Sequence, residues 1–214
     1  MAVTLTRGES RLVWVFLTAT TVSELIALVW IVRPGASWWA TLWRYGSDPP
    51  GTAYAWALAA LVTTLYVARA ASRSPVIRLH AFAPGSWGPI AALRLFAVCM
   101  ALVTGLFEEL FFRKIVMDVA ERHGLGAALQ VAASAVIFGL VHGIWVVFGG
   151  NLRAALAIVG ATAALGGLLA AVYLIGGRSL APCIAAHVCL NLILEPWMAI
   201  SSATRSWGRA AVRG

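Results

Sequence analysis

Six long apolar segments dominate this sequence and limit what it can fold into. They cover residues 12–32, 53–72, 88–112, 126–148, 153–176 and 179–200. Each has the roughly 20 residues that a helix needs to cross ~30 Å of hydrocarbon. The 214-residue chain is 61% hydrophobic, 11% charged and has a mean hydropathy of +0.87. We therefore predict an all-α integral membrane protein, a polytopic bundle of about six transmembrane helices.

The formal net charge of +8 does not indicate a nucleic-acid-binding protein. The basic residues lie in short connections and at the ends of apolar segments, where they set topology and contact anionic lipids. Three cysteines, Cys99, Cys183 and Cys189, fall within apolar segments. Because their spacing matches neither a zinc site nor a redox motif, we expect no disulfide framework.

The run EELFFR, residues 108–113, places charge at the end of the third apolar segment. Charged residues inside hydrocarbon are costly and are therefore functional candidates. On a helix, Glu109 and Arg113 pair at i, i+4, whereas Glu108 has only Phe111 and Phe112 as facing neighbours. We interpret Glu109 as held by the arginine and Glu108 as available for chemistry.

Two further polar features accompany this run. Residues 114–126 interleave charged and apolar side chains, which predicts an amphipathic interfacial helix that ends at Gly124. Glu24 lies in the middle of the first apolar segment. We expect it to pair with a polar group on another helix or to line a cavity, with the structural role favoured.

Two histidines lie in the middle of predicted spans. His142 shares a helix face with Phe138, and the GxxxG motif that begins at Gly139 allows another helix to approach closely. His187 shares a face with Asn191, as an anion-stabilising pair would. Each feature alone is compatible with helix packing. Together, on three separate spans, they predict a common polar cavity within the membrane.

The three motifs EExxxR, FxxxH and HxxxN follow one another on successive apolar segments. In this order they resemble the CPBP or Abi family of intramembrane endopeptidases, which includes the eukaryotic CAAX prenyl endopeptidases. The resemblance covers about residues 88–200, which we regard as a catalytic helical core. Residues 1–87 would contribute two N-terminal transmembrane helices, and residues 201–214 would form a basic tail.

The resemblance also implies a role for each motif residue. Glu108 and His142 would activate water, Glu109 and Arg113 would support them, and His187 and Asn191 would form the oxyanion hole. It implies no metal and no other cofactor.

The implied reaction is hydrolysis of a peptide bond near the membrane, in a membrane-associated or lipid-modified protein or peptide precursor. We expect an integral protein of the bacterial inner membrane, with membrane lipids and this substrate as partners. The sequence does not define the oligomeric state.

Three other interpretations use the same residues. Zinc could bind one of the adjacent glutamates with His142 and His187, although the sequence has no HExxH helix. Cys183 precedes His187 by one turn and shares a stripe with Asn191, which are the residue types of a thiol protease. A non-enzymatic proton-coupled transporter or membrane chaperone could use the buried acid and histidines as a relay.

Overall fold

The computed structural model describes residues 7–31, 49–73, 91–143 and 152–203, and within these ranges all regular secondary structure is helical. The predicted all-α class is thus confirmed for this part of the chain. The elements are α1 (Arg7–Ile31), α2 (Pro49–Arg73), α3 (Ala91–Glu109), a π-helical segment (Leu110–Met117), α4 (Asp118–Arg122), α5 (Ala127–His142), α6 (Leu152–Ile175) and α7 (Ala181–Ala203).

The six long helices follow the six predicted apolar segments. Two stretches, Thr52–Ala70 in α2 and Ala155–Ile175 in α6, are long and apolar enough to cross a membrane. Three shorter apolar stretches lie in α1, α5 and α7. Both N-terminal helices contact the core, since α1 packs against α3 and α7 while α2 packs against α6 and α7. The predicted tail lies outside the described residues from position 204 onward.

The helix that carries the EELFFR run extends further than its apolar segment predicts. Its path is unbroken from Ala91 through the π-helical segment to Arg122. The amphipathic stretch is therefore a continuation of this helix. The helix ends at Arg122, two residues before the predicted end at Gly124, which lies in the following turn with a φ of 77° that suits glycine because it has no Cβ. The π-helical segment begins directly after Glu109, and such segments are frequent at functional sites.

Glycines set the distances between the helices around the candidate site. A Cβ at Gly139 of α5 would lie 2.6 Å from the Cβ of Ala163 on α6, so the close approach predicted from the GxxxG motif is confirmed. A Cβ at Gly105 of α3 would lie 2.7 Å from Cγ2 of Val188 on α7. The first contact brings α5 close to α6 beside His142, and the second brings α3 close to α7 beside His187.

A polar network fixes one end of these helices. Arg178, in the turn between α6 and α7, has a φ of 67°. Its guanidinium lies 2.8 Å from Asp118 and 2.7 Å from Glu121 on α4, and it donates a 2.8 Å hydrogen bond to Gln130 of α5. This single side chain therefore ties the ends of α4 and α5 to the α6–α7 turn.

Candidate active site

The two adjacent glutamates lie at the C-terminal end of α3, and Glu109 is fully buried. Its Oε2 is 3.0 Å from Nε of Arg113, which is also fully buried, so the predicted i, i+4 ion pair is present. The angle between the two groups falls outside hydrogen-bond geometry. Arg113 also donates from Nη2 to the carbonyl of Gly166 on α6, at 3.3 Å. Its guanidinium lies 4.8 Å from the ring centre of Phe138.

Glu109 has a second partner on α7. Its Oε1 is 2.6 Å from Nδ1 of His187, and since a carboxylate accepts, the imidazole N–H donates. Glu109 therefore joins Arg113 and His187, and it fixes the orientation of the imidazole. Sequence spacing does not predict this contact, because the two residues are 78 positions apart.

Glu108 lies between two histidines from different helices. Its Oε2 is 3.2 Å from Nε2 of His187, and its Oε1 is 3.9 Å from Nε2 of His142. The carboxylate is buried, with 9% of the residue exposed, and Oε2 has no aligned hydrogen-bond donor in the described part of the chain. Its main neighbours are thus the imidazoles and not a cation of its own helix.

The backbone fixes which nitrogen of His142 faces Glu108. Its Nδ1 is 2.7 Å from the carbonyl oxygen of Phe138, an acceptor, so Nδ1 carries the proton. In the neutral ring, Nε2 then presents a lone pair towards Glu108. The 3.9 Å separation is too long for a direct hydrogen bond, but one water molecule can donate to both groups.

Phe138 forms the apolar wall of this cluster. Its buried ring lies 4.4 Å from the His142 ring and 5.7 Å from the His187 ring, measured between centroids. On another side it meets Phe112 at 4.9 Å with an edge-to-face geometry. These contacts restrict both imidazoles, because ring rotation would displace a packed aromatic side chain.

The structure brings five of the six predicted residues into one cluster, in which each lies within 4 Å of at least one other: Glu108, Glu109, Arg113, His142 and His187. Asn191 is half-buried one turn after His187, and its side chain makes no hydrogen bond with any residue that the structure describes. The Cys183 thiol is buried and donates to the carbonyl of Leu169. In the same described region, no group of three His, Cys, Asp or Glu side chains is arranged to hold a metal ion.

Two polar groups beside the cluster, one side chain and one backbone carbonyl, are not predicted from the sequence. Thr104 of α3 precedes Glu108 by one turn, and its hydroxyl donates a 2.6 Å hydrogen bond to Glu24 of α1. The spacing of Thr104 and Glu108 at i, i+4 was the available sequence signal. The carbonyl of Gly166 is the other addition, and a backbone acceptor leaves no mark in a residue pattern.

Comparison with known families matches the part of the chain that carries the three sequence motifs. A family model described as type II CAAX prenyl endopeptidase, Rce1-like, matches residues 90–193. The matched range contains all six predicted site residues. No significant match was found among curated proteins or among solved structures.

Proposed function

We propose that the protein is an intramembrane endopeptidase, because residues 90–193 match the model of the Rce1-like family of type II CAAX prenyl endopeptidases, which are membrane proteases. It hydrolyses a peptide bond near the membrane in a membrane-associated or lipid-modified protein or peptide. Its six long helices cross the bilayer and enclose a polar catalytic cavity. The protein acts in the bacterial inner membrane and needs no metal ion.

The observation that carries this proposal is the position of Glu108 opposite Nε2 of His142, 3.9 Å away. Both groups accept hydrogen bonds, so the molecule that fits between them is a donor such as water. A water that donates to both acceptors keeps its oxygen lone pairs free to attack a substrate carbonyl carbon. General-base catalysis of this type contributes about 10²–10⁴-fold to a rate.

The reaction then proceeds in two steps. Glu108 takes a proton from water as the water oxygen bonds to the carbonyl carbon, which leaves a tetrahedral oxyanion. The carbon–nitrogen bond then breaks, and the proton on Glu108 passes to the leaving amine. The products are an amine and a carboxylic acid, which then releases its proton to become a carboxylate, and Glu108 returns to its starting state.

His187 and Asn191 stabilise the oxyanion in this scheme. Glu109 holds the His187 ring through Nδ1, so Nε2 stays on the side of Glu108 where the reaction occurs. Asn191 follows on the same face of α7 and offers an amide donor. A preorganised donor of this kind contributes about 3 kcal/mol to lowering the barrier. Arg113 supports the arrangement indirectly, since it neutralises Glu109.

Cleavage by purified protein in detergent tests the proposal. Two synthetic peptides serve as probes: one ends in a farnesylated cysteine followed by three residues, and the other is the same peptide without the farnesyl group. We expect wild-type protein to release a fragment detectable by mass spectrometry, and Glu108→Gln and His142→Ala to lose at least about 100-fold in rate.

The chain offers a matched control for each variant. His123 lies in an exposed turn and bonds through Nδ1 to the carbonyl four residues earlier, as His142 does. His123→Ala and the exposed Glu121→Gln should therefore retain cleavage. If the wild type cleaves neither peptide while Glu108→Gln and His142→Ala fail in a proton-transport or partner-binding assay, the protease function is wrong.

A further inference from the structure

Ser134 is a buried polar residue of α5 that the mechanism above does not use. It is fully buried. It precedes Phe138 by four residues and His142 by eight, so the three side chains lie on one face of the helix. None of the three sequence motifs includes this serine.

The hydroxyl of Ser134 reaches a different helix. It donates a 3.2 Å hydrogen bond to the carbonyl of Phe112, within the π-helical segment. A hydroxyl inside a helix can instead bond to the carbonyl three or four residues earlier, as those of Thr63 and Thr162 do. Among the described residues, the bond from Ser134 is the only hydrogen bond that joins α5 to the π-helical segment. It therefore fixes the position of one helix against the other.

The same face of α5 makes two further contacts with α3 and its π-helical continuation. The Phe138 ring meets the Phe112 ring edge to face, at 4.9 Å between centroids. One turn later, His142 lies opposite Glu108. As α5 runs from Ser134 to His142, its partners run back from Phe112 to Glu108. The serine bond and the catalytic pair are therefore two ends of one antiparallel contact.

A hydrogen bond constrains this contact more closely than apolar packing does. The hydrophobic effect is non-directional, whereas a hydrogen bond restricts both a distance and an angle. The 3.9 Å gap between Glu108 and His142 admits one water molecule that donates to both. A displacement of about 1 Å is enough to lose such an arrangement and can cost about 100-fold in rate.

We propose that Ser134 is a positioning residue for the proposed hydrolysis. Its hydrogen bond to Phe112 fixes α5 so that Nε2 of His142 stays one water molecule away from Glu108. Ser134 acts through His142 and touches neither the water nor the substrate. This inference rests on the proposed function.

Ser134→Ala tests the inference through kcat and KM, measured with whichever of the two synthetic peptides the wild type cleaves. The variant removes the hydroxyl and keeps the rest of the side chain. We expect kcat to fall about 10-fold to 100-fold, because His142 is displaced, and KM to stay within about twofold, because no substrate contact changes. Thr63→Val on α2 is the control, since it removes a hydroxyl that bonds to its own helix. Its kcat should match the wild type.

Nuclear magnetic resonance gives a second readout that does not depend on cleavage. The ring signals of the four histidines are recorded from protein that contains isotope-labelled histidine, in detergent. His142→Ala and His123→Ala identify the signals of those two rings. Ser134→Ala should shift the His142 signal and leave that of the exposed His123 unchanged. A serine that only stabilises the fold would lower the unfolding temperature without moving either signal.

Ser134→Cys carries both measurements if Ser134→Ala does not fold, because a thiol keeps a donor at this position but a weaker one. A lower kcat together with a shifted His142 signal supports the inference. An unchanged kcat, or a fall in kcat without this shift, shows that the inference is wrong, as does failure of both variants to fold. The protease function stands in these cases.

The proposed function fails by a different result. If the wild type cleaves neither peptide, or Glu108→Gln cleaves as well as the wild type, the protein is not the proposed protease and the inference falls with it.

Discussion

Glu109 and His187 are joined by a 2.6 Å hydrogen bond between two side chains that are almost fully buried. This bond links α3 to α7 and fixes the imidazole in one orientation. Because Arg113 neutralises the same carboxylate, the three residues form one unit in which each depends on the others. The loss of one member therefore leaves buried polar groups without partners.

Arg113→Ala should reduce both stability and activity. It leaves the Glu109 carboxylate buried without its counter-ion, which typically costs about 3–5 kcal/mol. Thermal unfolding in detergent should therefore occur at a clearly lower temperature, and peptide cleavage should fall. The exposed Arg122→Ala on α4 is the control and should unfold like the wild type. Equal stability of the two variants would show that the buried ion pair does not support the fold.

Metal chelators should leave cleavage unchanged. Among the residues that the structure describes, no three His, Cys, Asp or Glu side chains are arranged to hold a metal ion. The measurement is the cleavage rate after incubation with 1,10-phenanthroline or EDTA. Loss of activity that added Zn²⁺ restores would instead establish a zinc-dependent protease.

Cys183→Ser should retain cleavage. The buried thiol donates to the carbonyl of Leu169, and a serine hydroxyl can make the same bond, whereas the imidazole of His187 is engaged by the two glutamates. Activity should also survive alkylation of the exposed Cys99 and Cys189. A thiol mechanism predicts the opposite, namely that serine at position 183 abolishes turnover.

Gly139→Ala should destabilise the protein, although alanine is the better helix former. The added Cβ would meet α6 at 2.6 Å, and such overpacking costs about 1–3 kcal/mol. Gly160→Ala on α6 is the matched control because nothing lies within 4 Å of its added Cβ. We expect the control to unfold at the wild-type temperature or above it, since alanine is favoured by up to about 1 kcal/mol within a helix. If both variants unfold alike, close contact at Gly139 is unimportant.

The sequence predicts the features of this structure that lie within a single helix, but not the contacts between helices. The apolar segments located the six long helices, and the i, i+4 spacing predicted the pair of Glu109 and Arg113, because both features belong to a single helix. The contact of Glu109 with His187 depends on how α3 and α7 are rotated against each other, which no local pattern encodes. The π-helical segment was also unexpected, since its residues are compatible with an ordinary helix.

The glycine at position 105 limits which amino-acid substitutions α3 can accept. Its close contact with Val188 sets the gap between α3 and α7 one turn before the two acids. At this gap a single imidazole reaches both carboxylates. A larger residue at this position would require Val188 or one of the two helices to shift, since a Cβ there would lie 2.7 Å from Cγ2 of Val188. The facing surfaces of α3 and α7 therefore tolerate less change at position 105 than at positions where an added side chain meets open space.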